Sequence, residues 1–176
     1  MYRRGFTIVE LIITITIMGI LLVLGVVNLR GTQANARDDE RKTDIEAIAM
    51  HLESYYMSGT DGTTAFGRYP STGLIGNEEA NLRDIDPKSL ATPGAAVDAN
   101  NVPISSLTPA TETTGVAQVQ TTTGVNPQPT INTYVYQPVQ ANGMLCNSGA
   151  QECRKFNLYY RLETDNIVYM VTSKNQ

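Results

Sequence analysis

Glu10 is the residue whose type and position most clearly point to chemistry. It stands at the edge of an aliphatic block, Leu11 to Leu29, in which 19 residues include no charge or proline and 13 are Leu, Ile or Val. Burying a carboxylate beside such a block costs up to about 3 kcal/mol and usually marks a function. A cationic α-amine is a suitable partner, since its unperturbed pKa is about 8. The alternative is that Glu10 lies at headgroup level, where a helix N-terminus favours an anion.

The two cysteines, Cys146 and Cys153, are a second candidate for chemistry. An even number of cysteines in an exported chain favours one disulfide, whereas a cytosolic chain would keep them as thiols. Two thiols alone are too few for a structural zinc site. The sequence therefore predicts a disulfide if the chain is exported, and no metal site.

No pattern in the sequence indicates an enzyme. His51 is the single histidine and is interpreted as structural, and there is no Ser/His/Asp set, phosphate loop or paired-acid motif. Several acids invite a calcium interpretation, but they lack EF-hand spacing, so scattered surface acids are the better interpretation. These acids are Asp61, Glu78, Glu79, Asp84 and Asp86. We therefore predict no catalysis, no cofactor and no metal.

The aliphatic block is long enough to cross a bilayer as a helix. The stretch Ile13 to Ile17 alternates with period two and is β-branched, which in water is typical of a strand. In lipid, however, a lone segment satisfies its backbone hydrogen bonds only as a helix. Residues 6–29 are therefore predicted to form a transmembrane helix.

The residues before this block carry a family resemblance. The run Arg3-Arg4-Gly5-Phe6-Thr7-Ile8-Val9-Glu10-Leu11 resembles the signature of type IV prepilins and type II secretion pseudopilins. The resemblance implies that an aspartic prepilin peptidase removes residues 1–5 by cutting after Gly5, and that the new amino terminus, Phe6, is N-methylated. It also implies that Glu10 meets the Phe6 amine of a neighbouring subunit during assembly.

The same resemblance implies the partners of the chain. They are further copies of itself in a homopolymer, the membrane, the prepilin peptidase, and a pilus assembly platform with its motor. The expected location is the inner membrane for the precursor and the cell surface for the filament. The net charge of −4 becomes −6 without Arg3 and Arg4, which disfavours nucleic acid as a partner.

Several alternatives remain open at this stage. Ala34-Asn35-Ala36 resembles a signal-peptidase site, but the apolar block is longer than that of a signal peptide and Arg30 separates the block from the site. An uncleaved anchor that never polymerises is a further alternative. Within the filament interpretation, the chain is a pilus subunit or a pseudopilin of a secretion or DNA-uptake system. A Thr-rich segment favours the pilus.

Beyond Arg30 the chain is polar but keeps helical spacing. One apolar stripe recurs at i, i+3, i+4, i+7 and i+11, and we predict that it packs on the rest of the protein. The stripe consists of Ile45, Ile48, Ala49, Leu52 and Tyr56. The charged segment from Arg37 to Asp44 is predicted to be a solvated face with pairs such as Asp38 with Lys42. Ser58-Gly59 is predicted to end this amphipathic half, residues 30–58.

The rest of the chain divides into a connection, residues 59–130, and a strand-rich end, residues 131–176. A turn at Asp61-Gly62 and a short helix from Glu78 to Arg83 are predicted first, and residues 88–130 are interpreted as an extended, low-complexity surface segment. Three strands are then predicted, with a tight turn at Thr164-Asp165. They span 130–136, 155–163 and 166–173.

These strands need a surface to cover, because a hairpin with one further strand is not stable alone. Their period-two side chains are predicted to lie on the apolar helix stripe. These side chains are Tyr134, Tyr136, Phe156, Leu158, Tyr160 and Leu162. The expected fold class is α+β: a long N-terminal helix packed on a small C-terminal antiparallel sheet, as in pilins.

Overall fold

The structure is a computed structural model that describes residues 6–58, 66–75, 82, 84–111 and 125–175. Residues 1–5, the predicted leader with Gly5, lie outside the described residues, as does the predicted Asp61-Gly62 turn. Five of the six residues in the short helix predicted from Glu78 to Arg83 also lie outside them.

A single helix, α1, spans Ile8–Ser58 and contains 51 residues. At ~1.5 Å per residue it is roughly 77 Å long. It ends where the sequence predicts, and the Ser58 hydroxyl donates a hydrogen bond to the carbonyl of Ser54 at 2.7 Å. This is a bond from a serine side chain back to the carbonyl four residues earlier, within the last turn of the helix.

Four strands form one mixed sheet in the order β1-β2-β3-β4. They are β1 (Leu107–Pro109), β2 (Tyr134–Gln140), β3 (Cys153–Arg161) and β4 (Val168–Thr172). The pairs β2–β3 and β3–β4 are antiparallel, as predicted, with Tyr159 opposite Val135 on one side and Met170 on the other. The predicted turn at Thr164-Asp165 lies in the β3–β4 connection. The α+β fold class is confirmed.

The sheet differs from the prediction at β1. This strand pairs in parallel with β2, so the sheet is mixed rather than antiparallel, and Leu107 and Ala110 are buried in a segment that was predicted to lie on the surface. With three residues ending in Pro109, β1 is too short for a period-two signal, and its pairing depends on tertiary contact.

β2 begins later than predicted. Thr130 and Thr133 form an isolated bridge around a tight turn, and the strand proper runs from Tyr134 through Pro138 to Gln140. A proline inside a run argues against a strand in sequence reasoning. Here Pro138 pairs with Phe156 near a register shift at Val139/Gln140, where the ladder is already interrupted.

The main core lies between α1 and one face of the sheet. All six predicted period-two side chains belong to it, together with Ile45, Ile48 and Leu52 of α1. A smaller cluster lies on the opposite face of the sheet and includes Val135, Tyr159 and Val168. We call the body built around this sheet the head.

The charged segment from Arg37 to Asp44 is not the solvated face that was predicted. Asp38, Arg41 and Asp44 are buried, and Lys42 pairs with Asp39 at 3.1 Å rather than with Asp38. The cause is a continuation of the apolar stripe, because positions 38, 41, 45, 48 and 52 are separated by alternating steps of three and four residues.

Candidate functional site

The start of α1 is closed by its own side chains. The amide of Glu10 donates to the Thr7 hydroxyl at 3.2 Å, and the Glu10 carboxylate accepts from the Thr7 amide at 3.4 Å. This reciprocal arrangement is a capping box, which satisfies two of the free amides at a helix start. The sequence signal for it is the spacing Thr7-x-x-Glu10, which is not among the predictions made from the sequence.

Phe6 and Glu10 lie together at this helix end and are both exposed. Phe6 is 78 % exposed. Within the described part of the chain Glu10 forms no ion pair. The amine that the resemblance assigns to it would belong to another subunit, so one copy of the chain is consistent with that role without displaying it.

The first half of α1 extends away from the head with its apolar side chains uncovered. Large aliphatic side chains from Ile8 to Leu29 are exposed on every side of the helix. Its hydroxyls are already satisfied, since Thr14 donates to the Leu11 carbonyl at 2.8 Å and Thr16 to the Ile12 carbonyl at 2.7 Å. By length and composition this helix is suited to crossing a membrane.

The second half of α1 carries the predicted packing face. Ile45, Ile48 and Leu52 are fully buried, and Ala49 and Tyr56 are partly buried against the same core. Sequence reasoning missed Tyr55, which is also buried.

The first 26 residues match the family model described as "Prokaryotic N-terminal methylation motif". This chain carries a prepilin-type methylation motif. The match spans the predicted leader, Phe6, the Thr7–Glu10 cap and most of the uncovered apolar helix, so the motif overlaps the exposed half of α1.

The chain is also similar to two kinds of named proteins. It is 34 % identical over 70 residues to a type II secretion system core protein G of Dickeya chrysanthemi and 37 % identical over 70 residues to that of Klebsiella michiganensis. These matches cover 40 % of this chain and 41 % and 44 % of those proteins. The chain therefore spans about two fifths of the length of these relatives.

The second kind is a type IV pilin. Over 54 residues the chain is 35 % identical to the type IV major pilin protein PilA of Myxococcus xanthus, a match that covers 31 % of this chain and 24 % of that one. No solved structure matches the chain.

Behind the prepilin motif, three carboxylates of α1 bind separate parts of the head. Asp38 accepts hydrogen bonds from the β3–β4 turn, and Asp44 accepts one from the hydroxyl of Tyr134 at 3.1 Å. Glu53 accepts from the hydroxyl of Tyr69 at 2.9 Å and from the amide of Lys174 at 2.7 Å. The surface of α1 that faces the head therefore combines an apolar stripe with three hydrogen-bonded carboxylates.

The pKa values of two of these carboxylates are shifted in opposite directions. Burial raises the pKa of Asp44 to about 6, against the hydrogen bond from Tyr134. Burial would also raise the pKa of Asp38, but hydrogen bonds from Glu163, Thr164 and Arg41 outweigh it and lower the pKa overall. Asp38 therefore stays ionised at neutral pH, while Asp44 titrates in a mildly acidic range.

Cys146, in the connection that follows β2, forms a disulfide with Cys153, the first residue of β3. The carbonyl groups of both cysteines also hold the segment that follows α1. The amide of Tyr69 donates to Cys153 at 2.8 Å, and that of Thr72 donates to Cys146 at 2.9 Å. The disulfide thus lies where the chain returns from α1 to the sheet.

Proposed function

We propose that this chain is a structural subunit of a type IV pilus-like filament, assembled from a membrane-anchored precursor. The observation that carries the proposal is the coincidence of the methylation motif with an uncovered apolar helix. Such a helix is unsuited to water and must be covered by lipid or by other copies of itself. Membrane anchoring and polymerisation are two successive ways to cover it.

In the proposed sequence of events, residues 1–5 are the leader and residues 6–29 form the transmembrane helix and later the filament core. The prepilin peptidase cuts between Gly5 and Phe6 and the Phe6 amine is methylated. Residues 30–58 carry the head, whose sheet faces outward. A platform and motor extract subunits from the inner membrane into a filament at the cell surface. The proposed role is structural, without catalysis and without direct nucleic acid binding.

Glu10 sets the register between subunits in this proposal. Its carboxylate has no cationic partner among the described residues, and the cleaved Phe6 amine of a neighbour supplies one. The pair forms only between copies whose helices are offset correctly, because an unpaired acid in an apolar bundle is unfavourable. The capping box meanwhile keeps the carboxylate at the helix end.

A second candidate is a pseudopilin of a type II secretion system. It is supported by the 70-residue similarity to core protein G proteins, which covers more of this chain than the similarity to the pilin does. Deletion of the gene separates the two candidates. Loss of surface filaments supports the pilus, and loss of exported proteins with no change in surface filaments supports the pseudopilin.

Substitution of Glu10 tests the shared mechanism. Glu10→Gln and Glu10→Leu are expected to leave the amount of membrane-inserted subunit unchanged and to reduce filament yield at least about tenfold, because the buried pair is lost. Glu46→Gln is the matched control, since Glu46 is an exposed acid on the same helix. Parental filament yield from both Glu10 variants would remove Glu10 from the mechanism. Retained Met1 in membrane-bound protein would instead support an anchor that does not polymerise.

A further inference from the structure

A charged cluster lies where α1 enters the head. Along α1, Asp38 is the first buried residue among the described side chains, and it is 2 % exposed. The helix before it is largely uncovered, and the packing face from Ile45 onward follows it. Asp38 therefore marks the junction between the exposed and the head-bound parts of α1.

Both carboxylate oxygens of Asp38 are fully used. Oδ1 accepts from the amide of Glu163 at 2.8 Å and from Nη1 of Arg41 at 2.8 Å. Oδ2 accepts from the amide of Thr164 at 3.0 Å and from its hydroxyl at 2.7 Å. One side chain of α1 thus accepts hydrogen bonds from two consecutive residues of the β3–β4 turn.

Two arginines of α1 add further hydrogen bonds to the head. Arg41, which is 1 % exposed, also donates from Nε to the Ile131 carbonyl at 3.1 Å. Arg37 holds the Glu163 carboxylate with two bonds, at 2.9 Å from Nε and at 2.6 Å from Nη2. The two acids and two arginines balance in charge and join α1 to two separate turns of the head.

These hydrogen bonds are directional, whereas the rest of the contact between α1 and the sheet is mainly apolar. Hydrophobic burial between Ile45, Ile48 or Leu52 and the sheet is non-directional and tolerates small rotations. Charge-assisted hydrogen bonds have fixed distances and angles. The cluster therefore selects one orientation of the helix on the sheet.

Because of the position of the cluster, the orientation of α1 on the sheet determines where the far end of the exposed helix lies. About 30 residues of α1 precede Asp38, which corresponds to a lever of roughly 45 Å at ~1.5 Å per residue. A tilt of about 10° at the junction would move the far end by roughly 8 Å, which is close to the distance of about 8 to 10 Å between packed helices. A small change in the angle at Asp38 would thus displace the far end of the exposed helix by about the distance between two packed helices.

We propose that Asp38 is the positioning residue that fixes the direction in which α1 leaves the head, and with it the placement of heads around the filament. The second part of this inference rests on the proposed filament function. The first part concerns the single subunit and is tested without filaments.

Hydrogen exchange of the full-length chain in detergent micelles tests the local contact. Asp38→Asn removes one acceptor oxygen and the charge, so the amides of Glu163 and Thr164 are expected to exchange at least about tenfold faster than in the parent. Amides of the β2–β3 ladder are expected to keep their rates. Asp39→Asn is the matched control, because the neighbouring Asp39 is exposed and its carboxylate pairs with Lys42 at the surface rather than with the head. Unchanged exchange in Asp38→Asn would overturn the inference.

Filament symmetry tests the consequence. In filaments imaged by electron cryomicroscopy, Asp38→Asn is expected to alter the twist per subunit or to blur the head density, while Asp39→Asn keeps the parental symmetry. Thr164→Val removes only the hydroxyl donor and is expected to act in the same direction with a smaller effect. Filaments of both Asp38→Asn and Thr164→Val with parental twist and sharp heads would contradict this part. Absence of filaments from the parent would instead count against the proposed function and leave the exchange result valid.

Discussion

Asp38 and Arg41 form a buried ion pair one helical turn apart, with Oδ1 and Nη1 separated by 2.8 Å and both side chains almost fully shielded from water. Removing one partner of such a pair leaves the other as a buried, uncompensated charge. The stability of the head is therefore sensitive to either residue.

Arg41→Ala is predicted to lower the free energy of unfolding by about 3 kcal/mol, because it leaves Asp38 buried without its nearest cation. Lys42→Ala, at the next position, is the control and is expected to change it by no more than about 0.5 kcal/mol, since that surface pair is solvated. Denaturant unfolding of the full-length chain in micelles, followed by tyrosine near-UV circular dichroism, measures both. Equal effects of the two substitutions would contradict the prediction.

Asp44 predicts a pH dependence of stability. Its pKa is raised to about 6 in the folded protein, so the folded state binds the proton more tightly than the unfolded state does. This contribution to stability is complete at low pH and is lost as the pH rises through about 6. Its size is on the order of 1 to 2 kcal/mol once the solvent that reaches the carboxylate is allowed for.

Asp44→Asn isolates that contribution, since the amide oxygen still accepts from Tyr134 but does not titrate. The difference in unfolding free energy between parent and variant is expected to change between pH 4.5 and 7.5. The variant is expected to become more stable relative to the parent as the pH rises. Asp38 and Glu163 have lowered pKa values and act in the opposite sense, with their contribution lost only below a pH of about 4. A difference that is constant across this range would refute the assignment to Asp44.

The disulfide is predicted to stabilise the return of the chain from α1 to the sheet. Reduction is expected to lower the unfolding free energy by about 2 to 3 kcal/mol from loop entropy. The amides of Tyr69 and Thr72 are expected to lose protection from exchange first, because they donate to the two cysteine carbonyls. The double variant Cys146→Ser, Cys153→Ser should show no further change on adding reductant, which separates the bond from other effects of the reagent.

The sequence was sufficient for the parts of the fold that rest on long periodic patterns. The stripe from Ile45 to Tyr56 and the alternating side chains of β3 each extend over several repeats, so their period is unambiguous. The apolar block was predictable instead from its length and from the need of a lone segment in lipid to form a helix. The helix end at Ser58 also followed from a local signal.

Features set by tertiary contact were not predictable in the same way. β1 has only three residues, and its parallel pairing with β2 depends on where the preceding chain is held. From their residue types, Asp38 and Arg41 are expected at the surface. In the fold both contact Glu163, which lies more than 120 residues later in the sequence. Asp38 lies three residues before Arg41, and Arg41 lies four residues before Ile45. This spacing indicates the buried stripe, whereas the charge of the two residues indicates the surface.

The Thr7–Glu10 cap was missed for a different reason. Its signal is only two residues, a threonine and a glutamate three positions later, and the apolar block beside Glu10 points more strongly to an intermolecular role. Both interpretations are compatible, because a capping carboxylate at a helix end remains accessible to an amine from a neighbouring chain.

The central claim, that a cleaved and methylated chain polymerises through its first helix, is tested most directly by the mass of the N-terminal peptide of protein taken from sheared surface filaments. The expected peptide begins with N-methylated Phe6. A peptide that begins at Met1, or at Arg37 after the Ala34-Asn35-Ala36 site, would contradict it.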